Sequence, residues 1–159
     1  MKLWRLAAST RTYGADDLSG AGAAKYPGRW NEANQRVVYC AEHPSLAVLE
    51  TAAHIDDLGL PLNRFLVEID IPDTVWAKRE MLDTSTLGPT WEAIPAGQDS
   101  VRAGSAWYRA GRTALLRVPS VIVPEERAVL INAAHVDAAR IKARIVRQFD
   151  YNRLFRGQA

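Results

Sequence analysis

The C-terminal part of the chain constrains its fold most, because β-rich segments follow one another there with no helix between them. Ala114 to Val118, Val121 to Val123, Ala128 to Ile131 and Ile141 to Phe149 are each rich in β-branched and aliphatic residues. A doubly wound parallel sheet needs a crossover of about a dozen or more residues between neighbouring strands, usually a helix. These spacings leave no steady room for one. The expected architecture is α+β, a compact mixed or antiparallel β core with few helices.

The rest of the chain supplies the remaining pieces. Leu3 to Leu6 reads as an edge or first strand, and Val37-Val38-Tyr39-Cys40 as a short strand. Phe65 to Ile71 reads as another, ended by Pro72-Asp73, with Val75-Trp76 continuing the sheet after the turn. One helix is expected from Pro44 through about Ile55, with Ser45 as its N-cap and Leu46, Leu49 and Ala53 on a shared face. A second runs from Ser100 to Ala110 and stops at Gly111. Gly14, Gly20, Gly22, Pro27 and Gly28 punctuate a long irregular loop from Gly14 to Gly28, and loops of this length in small domains often carry function.

A length of 159 residues without repeats, low-complexity tracts or linkers implies one domain over 1–159, and 48% hydrophobic residues suffice for a core without staples. Cys40 is the single cysteine, so no intramolecular disulfide can form and secretion has no support. Arg5 and Arg11 bracket an N-terminal stretch with no apolar core of a signal peptide, and no apolar run approaches the ~18 residues of a membrane helix. The expected location is the cytoplasm.

A net charge of +2 does not imply a polyanionic partner, and no direct nucleic-acid binding is expected. The charge is nevertheless uneven: Arg140, Lys142, Arg144, Arg147, Arg153 and Arg156 face one acid, Asp150, in the same stretch. This is either a solvated strand face and tail or a site for a phosphate-bearing ligand or an acidic partner. His43, His54 and His135 are scattered, and Cys40-x-x-His43 is half a zinc site, so no metal is expected. Ser120 lies in Val-Pro-Ser-Val rather than in a nucleophile elbow. No Gly-x-Gly-x-x-Gly or Walker loop is present, so any nucleotide is held by another device.

Four residues stand out. Arg29 closes the glycine-rich loop within Gly28-Arg29-Trp30-Asn31, Tyr39 sits in a strand, Glu50 is on the next helix, and Ser120 stands between Pro119 and Pro124. Taken singly, each has an ordinary explanation: an isolated Arg is usually a surface charge, a strand Tyr a packed ring, a helical Glu a solvated acid. Glu50 resists most, as the only charged residue in Ser45 to Ala53, because a buried lone carboxylate is costly unless paired or functional.

In order and spacing the chain resembles the RES family, named for its Arg, Glu and Ser. The elements that carry the resemblance are Leu3-Trp4-Arg5, Gly20 to Gly22, Gly28 to Asn31, Val37 to Tyr39, Ala47 to Glu50, Pro119-Ser120 with Val123-Pro124, and Leu130-Ile131-Asn132. The family usually places a glycine shortly after its Gly-Arg-Trp-Asn. Here Glu32-Ala33-Asn34 follows, and Asn34 can make the same left-handed turn.

The resemblance implies a fold similar to the ADP-ribosyltransferases of the diphtheria-toxin kind, with a split, mixed β core around an NAD cleft. It implies a toxin of a type II toxin–antitoxin system that degrades NAD, partnered by an Xre-like helix-turn-helix antitoxin that blocks the site and carries any contact with DNA. NAD is then the substrate. Glu50 would meet the positive charge that develops on the ribose, and Arg29 would grip the pyrophosphate or ribose oxygens. Tyr39 would stack on nicotinamide and donate a hydrogen bond. Ser120 would position rather than attack, having no evident base beside it, and Trp30, Asn31 and Asn132 would line the pocket. Hydrolysis or phosphorolysis of NAD is one outcome and transfer of ADP-ribose to a protein is another. A third reading, from a different class, is a non-catalytic module that binds a partner through its basic C-terminal strand.

Overall fold

The computed structural model describes residues 1–55 and 61–154. Among these, seven strands form one sheet: β1 (Lys2–Ala7), β2 (Val37–Ala41), β3 (Phe65–Asp70), β4 (Glu80–Met81), β5 (Leu115–Pro119), β6 (Arg127–Asn132) and β7 (Lys142–Gln148). Their order across the sheet is β4-β5-β6-β2-β1-β3-β7. Every pairing is antiparallel except the short parallel contact of β4 with β5. The helices are α1 (Ala21–Lys25), α2 (Pro44–Ala52), α3 (Asp73–Trp76) and α4 (Gln98–Ala110). The α+β expectation holds, with a mixed sheet.

The sheet has a narrow waist. β1 aligns with β3 over six residue pairs and β2 with β6 over five, but β1 meets β2 only at Trp4 opposite Ala41. The strands β4-β5-β6-β2 and β1-β3-β7 are therefore two well-paired halves joined through one registered pair.

Side-chain alternation along the strands separates two faces. On one, Leu3, Val38, Cys40, Val67, Ile69, Leu115, Val129 and Ile131 make a single core that crosses both halves and is closed by Ala15, Val75 and Ile141. The other face is divided. Val37, Leu116, Val118 and Leu130 lie under Trp30, Trp91 and the α4 residue Trp107, whereas Leu6 and Leu66 lie under the α2 residue Val48 with Phe149 and Tyr151. Leu46 and Ala47 of α2 cover Ala41. Cys40, buried in the undivided core, has its thiol pushed up to about 12 by that burial.

Several local expectations are corrected. Within the loop from Gly14 to Gly28, residues Ala21–Lys25 form a short helix. The cap of α2 is His43, not Ser45: Pro44 takes the first helical position, where its missing N–H is no loss, and Ser45 is already inside the helix. The helix ends at Ala52, and it buries Leu46, Ala47 and Val48 while Leu49 and Ala53 are exposed. Val75-Trp76 belongs to the helical turn α3, because the Val75 and Trp76 amides both bond the Pro72 carbonyl. Val121 to Val123 is no strand but a bend that leads into a turn at Pro124 and Glu125. The helix ending at Gly111 is as expected, with that glycine left-handed at φ 57°, and Asn34 makes the anticipated left-handed turn at φ 68°.

The basic stretch is largely engaged within the chain. Arg144 bonds Glu68 at 3.0 Å, Arg140 bonds Asp137 and Thr74, and Arg147 lies over the Phe149 ring. Arg156 lies outside the described residues. No helix among the described residues is long and apolar enough to cross a membrane.

Candidate active site

On the second sheet face Tyr39 extends from β2 and packs against the layer of Trp30, Trp91 and Trp107. Its hydroxyl accepts the Trp30 N–H at 3.0 Å and donates to Asn31 Oδ1 at 2.8 Å. Burial pushes the phenol above its ordinary range, opposed by the Trp30 hydrogen bond and by the positive charge of Arg29. The ring is thus fixed and neutral. Its proton is already given to Asn31. Gly28 permits this arrangement, since a Cβ there would come 2.7 Å from the Tyr39 hydroxyl.

Arg29 stands next to that glycine. Its Nη1 donates to the carbonyls of Trp91 and Ala93, both at 2.9 Å, which ties the loop after β4 to the site. Among the described residues its Nε and Nη2 have no hydrogen-bond partner. Burial holds the guanidinium below its ordinary pKa, and the charge of Glu50, then that of Tyr39, opposes the shift. Arg29 therefore remains a cation within electrostatic reach of Glu50.

Glu50, half-buried on α2, accepts a hydrogen bond at Oε1 from the Ser120 hydroxyl at 2.7 Å. Ser120 is almost wholly buried, and its Oγ accepts the amides of Ile122 and Val123, each at 3.1 Å. The expectation of no base beside Ser120 is corrected, since a carboxylate adjoins it. Its role as a positioning group is nevertheless what this geometry supports. The hydroxyl proton points at Glu50 and two amides occupy the oxygen, so Ser120 fixes one carboxylate oxygen, and among the described residues Oε2 has no hydrogen-bond partner.

Four segments far apart in sequence thus bring Arg29, Tyr39, Glu50 and Ser120 to one region. The three other candidates stand behind it. Trp30 is buried and stacks on Trp91, with ring centroids 6.3 Å apart. Asn31 takes the Gly28 amide and the Tyr39 hydroxyl on its Oδ1 and donates to Ala23 and Glu32 carbonyls. Asn132 accepts the Ala134 amide in the turn after β6 and donates to the Tyr108 carbonyl of α4. All three are buried. Sequence reasoning missed the Trp91 and Ala93 carbonyls. They are backbone atoms in an irregular loop, and only the tryptophan hinted that the loop packs inward. Among the described residues, no group of three or more His, Cys, Asp and Glu is placed to hold a metal ion.

Residues 2–153 match the family model for the RES domain. The chain is 55% identical over 149 residues to the "Prs ADP-ribosylating toxin" of Sphingobium sp. (strain YBL2), covering 94% of this chain and 92% of that one. It is 38% identical over 132 residues to a "Toxin Res" of Photorhabdus laumondii subsp. laumondii, covering 83% and 81%. A "Toxin Res" of Pseudomonas putida is 34% identical over 157 residues, covering 98% of this chain and 100% of that one.

Proposed function

The chain belongs to the RES family, and from that premise we propose that it is a toxin enzyme that cleaves the nicotinamide–ribose bond of NAD. The observation that carries this reading is the Glu50 carboxylate. It is held by Ser120 on one oxygen, has no partner on the other among the described residues, and is set in the field of Arg29. Cleavage of the N-glycosidic bond builds oxocarbenium-like charge on the ribose as neutral nicotinamide leaves, so a preorganised carboxylate acts where charge develops. The free nitrogens of Arg29 suit the pyrophosphate, and the fixed Tyr39 ring suits the nicotinamide face. The waist between β2 and β1 is compatible with the split core of an ADP-ribosyltransferase-like fold.

Water or phosphate capturing the ribosyl cation gives hydrolysis or phosphorolysis. A specific observation favours a second reading, transfer of ADP-ribose to a protein: the 55%-identical relative is named as ADP-ribosylating Prs. The test is to mix the purified protein with NAD, with and without phosphate and with and without purified Prs. Nicotinamide release and intact mass of Prs are then followed. Release without a mass change supports hydrolysis or phosphorolysis; a gain of one ADP-ribose on Prs supports transfer. NAD left intact under every condition overturns the proposal. We further propose that an Xre-like antitoxin silences the protein in the cytoplasm by placing a carboxylate on Arg29. An antitoxin that binds together with NAD without mutual weakening would exclude that.

A further inference from the structure

We infer that the Glu42–Arg117 ion pair positions Glu50, by fixing the root of α2 on the turn that carries Ser120. The inference rests on the reading of Glu50 as the carboxylate that acts at the ribose. Arg117 belongs to β5, three residues before Ser120, and Glu42 follows β2, one residue before the His43 cap of α2. In sheet order β6 lies between β5 and β2, so the two side chains meet over that strand. Arg117 donates through Nε and Nη2 to the two carboxylate oxygens of Glu42, the second bond at 2.8 Å. Both partners are sheltered, with the Glu42 side chain 12% exposed and that of Arg117 28%. A fork of this kind fixes distance and angle together. Its net worth to stability is small, because both charges give up water to make it. What it supplies is orientation.

The same two segments are tied again at each step toward the site. The Glu42 amide bonds the Arg127 carbonyl at 3.4 Å, which continues the β2–β6 ladder. His43 Nδ1 lies 3.1 Å from Glu126 Oε2, and the Glu126 carbonyl accepts the Ser120 amide at 3.2 Å. Val123, within the Ser120 turn, packs on Ala41, Leu46 and Ala47. The 2.7 Å bond from Ser120 to Glu50 is the last of these ties, about two helical turns beyond the cap. The His43–Glu126 contact is open to solvent, at 61% and 30% exposure, and holds less firmly than the sheltered fork. A hydrogen bond as short as that of Ser120 is lost with about 1 Å of movement, so a helix that rocks at its root carries Glu50 away from Ser120. The carboxylate is then no longer preorganised for charge on the ribose. Arg29 is held elsewhere, by the Trp91 and Ala93 carbonyls, so its grip on the dinucleotide does not pass through this pair.

The experiment replaces both partners at once, Glu42→Gln with Arg117→Met, which removes the fork and leaves no charge unpaired. The thermal melt of the purified double variant should stay close to wild type. Its kcat for nicotinamide release from NAD should fall about ten- to hundredfold, the scale of a catalytic group displaced by ~1 Å, while KM for NAD holds. In a Ser120→Ala background the same double change should cost little more, since the tie it serves is already gone. The NMR resonance of the Glu50 carboxyl carbon, assigned by its loss in Glu50→Gln, should move in the double variant toward its position in Ser120→Ala. Wild-type kcat in the double variant would overturn the inference. So would a raised KM with kcat unchanged, or an undiminished loss in the Ser120→Ala background, because the pair would then act on something other than the Glu50–Ser120 contact. Should the double variant fail to fold, Glu42→Gln alone makes the same comparison, as the Arg117 it leaves unpaired is the more exposed partner. If wild-type protein releases no nicotinamide, the reading of the site as an NAD cleaver fails. The Glu50 resonance then decides the positioning by itself, and an unmoved resonance in the folded double variant overturns it.

Discussion

The two faces of the sheet are built from the same strands and do opposite jobs. On one, apolar side chains from Leu3 to Ile141 close into one core that spans both halves of the sheet. On the other, the buried residues divide into separate layers, and Tyr39 and Glu50 lie on that side, with Ser120 bonded to Glu50 and Arg29 within electrostatic reach of both. Continuous burial on one side is what allows polar groups to occupy the other. The comparison teaches that stability and chemistry are separable here, and substitutions can test that separation.

The largest effect is expected at Glu50. Glu50→Gln keeps the shape and removes the charge proposed to meet the ribosyl cation, so kcat should fall on the order of a hundred- to thousandfold with the thermal melt little changed. Turnover near wild type in a folded Glu50→Gln protein would remove the carboxylate from the mechanism. The mirror experiment is Ile131→Ala on the undivided face, where the residue is 1% exposed. Denaturant titration should show a loss of about 2–5 kcal/mol, the cost of the deleted methyl groups and the cavity they leave. The molecules that remain folded should keep their specific activity. A proportional loss of kcat in that variant would show the two faces to be coupled.

Arg29→Ala comes next, because its charge is proposed to meet the pyrophosphate in ground and transition states alike. KM for NAD should rise about ten- to hundredfold while kcat changes less. Hydrogen exchange should also quicken at Trp91 to Ala93, whose carbonyls lose their donor. The smallest effect belongs to Glu68, at the far side of the sheet, where Lys2 and then Arg144 hold its carboxyl below the usual range. A depressed folded-state value means that its stabilisation is present above the ordinary carboxylate pKa and is lost as pH falls through the depressed one. Melting temperature should therefore drop less steeply on acidification in Glu68→Gln than in wild type, and the two should converge at the acid end. Parallel curves would deny Glu68 that role.

Most of the sheet was legible in the sequence because β1, β2, β3, β5, β6 and β7 have apolar faces that alternate or run continuously. The second long helix was legible because Gly111 ends it. What misled were residues whose local propensity yields to a partner distant in sequence or to a neighbouring backbone. Val121 to Val123 has strand composition, but the Ser120 hydroxyl takes the amides of Ile122 and Val123, and the Ser120 amide bonds Glu126. Pro44 displaced the cap from Ser45 to His43 through its missing N–H. At the site, the identities of Arg29, Tyr39, Glu50 and Ser120 came through the family pattern, while their connections did not. That Ser120 serves Glu50, and that Arg29 is tied to Trp91 and Ala93, are pairings across 70 and more than 60 residues that no local pattern encodes. Trp30, Asn31 and Asn132 share the motif's segments for reasons of packing.

The lone thiol has a use that follows from where it sits. Cys40 lies in β2 beside the waist, sealed in the core that spans both halves, and its raised pKa leaves almost no thiolate near neutrality. Alkylating reagents cannot reach it in the closed molecule, so every modified molecule is one whose sheet has come apart. With a single cysteine in the chain, each such event adds one reagent mass and no more. The protein therefore carries its own counter of sheet opening, readable by mass spectrometry without any engineered label, and its ticking rate would reveal whether NAD holds the two halves together.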